Sequence, residues 1–195
     1  MIPKKYKQYN PQFFDKGKRA EVYIFKKNNR IYCIKTKRKE SKAINRLKNE
    51  AYFLKILNKQ NIGPKLIDSG KNYIVYEFVK GKAFLEVIKT TKNPTTLFIK
   101  VLNQCFIMDR LKINKEEMHH PKKHIYILKN QIKMIDFERC HFSDKVHNVT
   151  QFFQFIFTLK GLDLKKYLKE LQNYQKNIDE KTYKKLIKAL LTKIY

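Results

Sequence analysis

Residues 20–37, AEVYIFKKNNRIYCIKTK, carry the clearest local structural signal in the chain. Two runs rich in β-branched and aromatic residues flank the segment KKNNR. Asn28 and Asn29 lie at its centre, and asparagine tolerates the positive φ that a tight hairpin needs. The segment therefore predicts an antiparallel pair of strands.

The residues that follow predict a helix and two more strands. Apolar residues recur with helical spacing over residues 41–58, at Ala43, Leu47 and Leu54 among others, and Gly63 with Pro64 ends the pattern. KLIDSG and NYIVYEFV are short β-rich runs. Residues 13–79 are therefore predicted to form three strands, a helix and two strands.

Beyond Gly81 the pattern becomes mostly helical. We predict helix over residues 83–112, short strands at 124–128 and 131–135, and three helices within 148–194, with Asn148 as an N-cap and Gln151 completing a capping box. The expected fold class is α+β. Two domains are expected, a β-rich one at 1–80 and a helical one at 81–195.

Positive charge is the most unusual bulk property. The 195 residues include 44 Lys+Arg against 17 Asp+Glu, a formal net charge of +27. A field of this size favours anionic partners such as nucleotides, RNA or acidic lipid surfaces. The alternative is a solvated lysine coat without a specific partner.

Cysteine usage and hydropathy bear on the compartment. Cys33, Cys105 and Cys140 are far apart and show no metal-ligand spacing, so neither a disulfide framework nor a zinc site is indicated. No uninterrupted apolar run approaches the ~18 residues of a membrane span, and the first residues lack a signal-peptide pattern. We expect a soluble protein in a reducing cytoplasm.

Two charged residues occupy apolar faces. Strand alternation places Lys35 with Ile31 and Cys33, and helical spacing places Glu50 within the apolar stripe that contains Leu47. An unpaired buried charge is costly, so these two side chains are predicted to pair. The alternative is that both reach solvent at the edges of their elements.

The segment IKMIDFERC, residues 132–140, places Asp136 and Glu138 directly after an apolar run. Two carboxylates on an irregular segment can coordinate a hard divalent cation such as Mg²⁺ through oxygen. The alternative is that either one forms a salt bridge with one of the many lysines.

The order of these features resembles the protein-kinase-like superfamily, most closely the small archaeal predicted Ser/Thr protein kinases, similar in style to RIO-type and KEOPS-complex kinases. The resemblance is carried by GKRAEVY, CIK, NEAYFL, YIVYEFVKG, KEEMHHPKKHIYI and MIDFERC, over about residues 13–155. It implies a bilobal fold with an antiparallel-sheet N-lobe containing one main helix, and a reduced helical C-lobe.

The resemblance also implies roles for individual residues. Lys35, paired with Glu50, would contact the phosphates of ATP, and Asp136 would bind Mg²⁺ or Mn²⁺. The expected nucleotide-binding residues, besides Lys35, are Gly17, Lys18, Arg19, Ala20 and Val22 in the phosphate-covering turn and strand, and Glu77, Phe78 and Val79 in the adenine-contacting hinge.

The catalytic loop departs from the family pattern. Where related kinases read HGDL this chain reads KEEM, which places Glu117 at the catalytic Asp. The metal-binding Asn is also missing, and His124 is the nearest candidate for that role. His119 and His120 are interpreted as phosphate contacts or solvated turn residues, and one of Lys122 and Lys123 is expected to neutralise the γ-phosphate.

The expected function is therefore an ATP-dependent phosphotransferase, a Ser/Thr protein kinase of an atypical small type with an unidentified protein acceptor. Beyond His141, only six residues, 142–147, precede the next helix, so activation-loop regulation is not expected. Two alternatives remain: a small-molecule or lipid-sugar kinase, and a pseudokinase-like module that binds nucleotide and docks on RNA or a ribosomal particle.

Overall fold

The structure is a computed structural model that describes residues 1–42, 45–121 and 123–194. The chain forms two compact units. The first contains Met1–Lys80 together with Lys133–Arg139, and the second contains Gly81–Ile132 and Cys140–Tyr195. A division of the chain at residue 80 alone would place Lys133–Arg139 in the second unit, whereas these residues pack with the first.

An antiparallel sheet forms the first unit. Its strands are β1 (Gln12–Lys16), β2 (Ala20–Lys27), β3 (Arg30–Lys37), β4 (Leu66–Gly70) and β5 (Tyr73–Glu77), in the order β1-β2-β3-β5-β4. Asn28 and Asn29 join β2 to β3 with φ of 48° and 58°. Such a two-residue left-handed turn matches the twist of the strands, and the predicted hairpin is confirmed.

One face of this sheet packs against a helix. Helix α2 (Arg46–Leu57) buries Leu47 and Ala51 in a cluster with Ala20 and Ile74 of the sheet. The predicted start at residue 41 is wrong, because the residue before the helix, Asn45, has a left-handed backbone with φ of 57°. Ala43 and Ile44, which the prediction placed in this helix, lie outside the described residues.

Gly63 ends the segment after α2. Its φ is +80°, and a Cβ at this position would lie 2.8 Å from Leu54 Cδ2 and 2.9 Å from Phe137 Cε2. The missing side chain therefore leaves room beside Gly63 for Leu54 of α2 and for Phe137, which are both fully buried.

The other face of the sheet is covered by aromatic rings. Helix α1 (Lys4–Lys7), which was not predicted from the sequence, contains Tyr6, and Tyr9 lies in the turn after it; their ring centroids are 5.5 Å and 5.3 Å from that of Phe25. The Tyr6 hydroxyl donates a 2.6 Å hydrogen bond to Asp68. This short segment thus stabilises the outer face of β2 and β5.

The second unit is mainly helical. Its helices are α3 (Phe84–Thr90), α4 (Thr95–Arg110), α5 (Asn148–Lys160), α6 (Leu168–Lys176) and α7 (Glu180–Ile194). Its short strands are β6 (Lys82–Ala83), β7 (Ile113–Asn114), β8 (Ile125–Leu128), the first half of β9 (Gln131–Met134), and β10 (His141–Phe142). The three helices predicted within 148–194 are confirmed, and the region predicted to be helical over 83–112 contains two helices, α3 and α4. Pro94 separates them, since a proline disfavours helical backbone at the residue before it.

A buried polar network fixes the start of α5. The Asp109 carboxylate accepts hydrogen bonds from both the backbone and the side-chain nitrogen of Asn148, from the Val149 backbone at 3.2 Å and from the Tyr174 hydroxyl at 2.8 Å. The Asn148 side chain is fully buried here and does not cap the helix, so the predicted capping box is wrong. Gln151 instead accepts from the backbone of Met118.

The fold class is α+β, with a five-stranded antiparallel sheet and, across the described residues, seven α-helices. None of the helices in that part of the chain combines the length and the apolar character needed to cross a membrane.

Candidate functional site

The site begins with an ion pair in the first unit. Lys35 lies on β3, and Glu50 lies on the buried face of α2. Lys35 Nζ is 2.8 Å from Glu50 Oε2, and the two side chains are only 12% and 2% exposed. The predicted pairing of these residues is confirmed.

Two further carboxylates meet the same lysine. Lys35 Nζ lies 3.3 Å from Asp136 Oδ1 and 3.5 Å from Glu138 Oε2. Both acidic residues follow β9, in the part of the chain that returns to the first unit. One ammonium group therefore contacts three carboxylates, which we call the acidic trio: Glu50, Asp136 and Glu138.

The backbone at Asp136 makes this convergence possible. Asp136 has a φ of 62°, a left-handed conformation that costs a residue with a side chain roughly 1–2 kcal/mol but that Asp adopts more readily than most. Phe137 is fully buried between two residues that contact Lys35. The strained position is thus occupied by a charged group of the site, as is common where backbone geometry serves function.

Polar contacts anchor Glu138 in its place. Arg19 Nη1 lies 2.8 Å from Glu138 Oε1. The backbone carbonyl of Glu138 accepts from Asn49 Nδ2 at 3.0 Å and from Arg46 Nη1 at 3.4 Å. The first turn of α2 therefore holds the segment that contains Asp136 and Glu138, a contact that was not predicted from the sequence.

The electrostatics of the Lys35–Glu50 pair follow from burial and charge. Burial lowers the pKa of the Lys35 ammonium, but the charges of Glu50, Asp136 and Glu138 outweigh it and the net pKa is raised. Burial raises the pKa of the Glu50 carboxyl, and Lys35 offsets only part of this. The first shift favours the ion pair and the second opposes it. We take the pair as ionised near neutral pH, because the lysine charge lies 2.8 Å from the carboxylate.

The trio has the composition of a hard-cation site. Each residue offers one carboxylate oxygen, and the three oxygens lie within 4.8 Å of one another. Asp136 is the open member, with 34% of its side chain exposed, whereas Glu50 is engaged by Lys35. Mg²⁺ and Mn²⁺ take oxygen ligands, and Mg²⁺ needs only one or two protein carboxylates, so these residues fit such an ion.

The predicted phosphate-covering turn connects β1 to β2. The backbone N–H of Gly17 donates to the carbonyl of Ala20 at 2.9 Å. A Cβ on Gly17 would meet only that carbonyl oxygen, at an ordinary 3.6 Å, so the local backbone does not require glycine. Lys18 is exposed, Ala20 is buried, and Val22 lies opposite Lys35 in the strand register. The nucleotide-binding role of this turn remains a prediction.

The predicted hinge follows β5. The Phe78 backbone N–H donates to Ile31 of β3 at 3.0 Å, and Glu77 pairs with Arg30 at 3.4 Å. Phe78 also packs edge-on against Phe14, with ring centroids 5.2 Å apart, and Val79 is half-buried. No contact here tests the adenine-binding role of Glu77, Phe78 or Val79.

The remaining predicted residues belong to the second unit. Glu117 has a left-handed backbone with φ of 71°, and its carbonyl accepts from His120 at 3.0 Å. His124 donates its backbone N–H to Pro121 at 3.2 Å and is not part of the acidic trio. Lys122 lies outside the described residues. The catalytic role of Glu117 and the metal-binding role of His124 stay predictions.

In comparisons with known proteins, no family model matched the chain, and no curated protein gave a significant sequence match.

Proposed function

We propose that the protein is an ATP-dependent phosphotransferase, a small atypical Ser/Thr protein kinase with a bilobal protein-kinase-like fold. The observation that carries this proposal is the contact of Lys35 with the acidic trio, in which Lys35 Nζ lies 2.8 Å from Glu50 and 3.3 Å from Asp136. Phosphoryl transfer depends mainly on positioning and on neutralising charge, and a fixed lysine beside carboxylates supplies both.

Lys35 has the role of holding phosphate oxygens. Its ammonium is fixed by Glu50 and stays protonated at neutral pH, because the surrounding carboxylates raise its pKa. Its 3.3 Å contact with Asp136 is long for a charge-assisted hydrogen bond, so this contact is the more easily exchanged for a phosphate oxygen. Glu50 thereby orients the lysine, and Asp136 is left to bind a cation.

Asp136 and Glu138 are the residues that would hold a divalent cation. A bound Mg²⁺ or Mn²⁺ would neutralise the phosphate charge that develops during transfer. The Asp-Phe-Gly segment of protein kinases has glycine where this chain has Glu138. The extra carboxylate is compensated here by Arg19, at 2.8 Å.

The acceptor is proposed to be a protein hydroxyl, with Glu117 as the general base. A glutamate can accept a hydroxyl proton as an aspartate does, but its longer side chain displaces the oxygen by about 1 Å, which can lower the rate about 10²-fold. Slow turnover is therefore expected.

The test is release and transfer of phosphate from γ-labelled ATP with Mg²⁺ or Mn²⁺, comparing wild type with Asp136→Asn and Lys35→Ala. Lys26→Gln is the control: Lys26 is an exposed lysine on β2, and its substitution removes the same charge as Lys35→Ala. Metal-dependent transfer that both site variants lose and the control keeps supports the proposal.

The acceptors separate the alternatives. Transfer to a metabolite panel but to no protein would identify a small-molecule kinase. Nucleotide binding without any transfer would contradict the proposed phosphotransferase activity. It would favour a pseudokinase-like module, whose expected partner is RNA. Equal activity in all four proteins would exclude the acidic trio as the working site.

A further inference from the structure

A second concave site lies in the first unit, at the start of α2. It is a pocket of about 150 Å³. Its charged lining residues are Arg19, Lys37, Arg46, Lys71 and Glu138. Four cationic side chains therefore surround a space that would accept a small polar group.

The walls of this pocket are joined by backbone hydrogen bonds. The N–H of Lys37 donates to the carbonyl of Asn72 at 2.9 Å, and the N–H of Arg38 donates to the carbonyl of Arg19 at 3.1 Å. These bonds connect the end of β3 to the β4–β5 turn and to the β1–β2 turn. The pocket is thus built by three connected segments of the sheet and by the first residues of α2.

The acidic member of the lining is already compensated. Glu138 is 9% exposed, and its carboxylate contacts Arg19 at 2.8 Å and Lys35 at 3.5 Å. Among the described residues, neither Lys37 nor Lys71 has a carboxylate within ion-pair distance. The positive charge in the pocket therefore exceeds the negative charge.

The first turn of α2 adds to this field. Arg46 and Leu47, the first two residues of that helix, line the pocket. Asn45, which precedes them, makes no side-chain hydrogen bond that caps the helix. The positive end of the helix dipole and its N–H groups thus supplement the side-chain cations.

The size and charge of the pocket select a terminal phosphoryl group over a polymer backbone. A phosphate monoester presents three oxygens at one end, which suits convergent lysine and arginine side chains. A larger cavity of about 520 Å³ shares Asn45 and Lys71 with this pocket and is lined by Tyr52, which is 52% exposed. The rest of such a ligand has a route along the outer face of α2.

We infer that this pocket binds a phosphate monoester, through Lys37, Lys71, Arg46 and Arg19. The monoester belongs to a phosphorylated side chain or to a sugar phosphate. The site is distinct from Lys35 and does not depend on the proposed phosphotransfer. It borders that site at Arg19 and Glu138, so an anion in the pocket competes with Glu138 for Arg19.

The test is calorimetric titration of the full chain at about 0.15 M salt, where diffuse attraction is screened. The titration buffer contains neither divalent metal nor nucleotide. The probes are inorganic phosphate, O-phosphoserine, ribose 5-phosphate and a short single-stranded RNA with a 5′-hydroxyl. Lys37→Gln/Lys71→Gln is compared with Lys26→Gln/Lys59→Gln, which removes the same charge at exposed positions of the same unit.

We expect saturable 1:1 binding of phosphate, weakened at least roughly tenfold in Lys37→Gln/Lys71→Gln and unchanged in the control. Tighter binding of O-phosphoserine than of phosphate identifies a phosphorylated side chain, and tighter binding of ribose 5-phosphate identifies a sugar phosphate. Equal weakening in both double variants, or no saturation, would show that only the general lysine field attracts anions and would overturn the inference.

RNA binding at the same residues, as tight as that of the monoesters, would also overturn it, because the pocket would then recognise phosphodiesters. Asp136→Asn separates this result from the proposed function. That variant should still bind phosphate in the pocket, whether or not the wild type transfers phosphate from ATP.

Discussion

Lys35 and Glu50 depend on each other unequally. Lys35 Nζ contacts Glu50 at 2.8 Å and also contacts Asp136 and Glu138, whereas the Glu50 carboxylate forms its ion pair with Lys35. Glu50 is also the more deeply buried of the two, at 2% exposure against 12%. Loss of the lysine would therefore leave a buried charge uncompensated, but loss of the glutamate would not.

This asymmetry predicts different stabilities for the two single variants. Lys35→Met should lower the free energy of unfolding by about 3–5 kcal/mol, the usual cost of breaking a buried pair, because three carboxylates lose their shared cation. Glu50→Gln should cost less, since Lys35 retains Asp136 and Glu138. Urea unfolding of both variants measures the difference.

The double variant Lys35→Met/Glu50→Gln completes the comparison. It should be more stable than Lys35→Met alone, because the deeply buried carboxylate is then neutral. Lys26→Met serves as the control and should change stability by less than about 0.5 kcal/mol, as for other exposed positions. A Glu50→Gln variant less stable than Lys35→Met would show that Asp136 and Glu138 do not compensate the Lys35 charge when Glu50 is neutral.

The backbone of Asp136 gives a second prediction. Its φ of 62° suits glycine better than alanine. Asp136→Gly and Asp136→Ala both remove the carboxylate, but only alanine keeps the strain, so the glycine variant should be more stable by about 1–2 kcal/mol. Thermal or urea unfolding of the pair tests this. The opposite order, which is usual at positions with ordinary backbone, would mean that the left-handed conformation does not exist in solution.

Local sequence patterns were sufficient to predict the hairpin and the Lys35–Glu50 ion pair, on which the site is built. The hairpin follows from Asn28 and Asn29, which adopt the predicted positive φ. The ion pair follows from two periodicities, since strand alternation and helical spacing each place one charge on an apolar face. Both signals are local, so they can be read from a single sequence.

Contacts between distant residues could not be read in this way. Arg19 and Glu138 are 119 residues apart, and no periodicity relates them. The capping role assigned to Asn148 was wrong for a similar reason, because its side chain is fixed by Asp109, 39 residues earlier in the chain. The helix start at Arg46 was also missed, since apolar spacing alone does not show the left-handed Asn45.

Asp68 provides a prediction on pH. Burial raises the pKa of its carboxyl, but hydrogen bonds from Lys5, Tyr6 and Tyr73 outweigh burial, and the net pKa is lowered from its usual 3.8. A lowered folded-state pKa stabilises the protein above the unfolded-state value, and this stabilisation is lost as the pH falls through the folded-state pKa. Asp68→Asn should therefore be less stable than wild type at pH 6, with the difference shrinking below about pH 4.

Urea unfolding of wild type and Asp68→Asn at several pH values between 6 and 2.5 measures this difference. Asp144→Asn is a suitable comparison, because the Asp144 side chain is 89% exposed and its contact with Lys112 should contribute little. A gap between wild type and Asp68→Asn that is constant with pH would show that the tyrosine and lysine contacts do not depend on the Asp68 charge.

Glu117 leads to a prediction in which activity increases. Its backbone is left-handed, with φ of 71°, a conformation that aspartate tolerates better than glutamate. If Glu117 is the base of the proposed transfer, Glu117→Asp restores the shorter side chain and should raise the transfer rate, by up to about 10²-fold, without loss of stability. Labelled ATP assays with Mg²⁺ give the rate, and Glu116→Asp is the matched control on the neighbouring residue. A Glu117→Asp variant that folds normally and transfers phosphate no faster than wild type would remove Glu117 from the proposed mechanism, while leaving the acidic trio to be tested by its own variants.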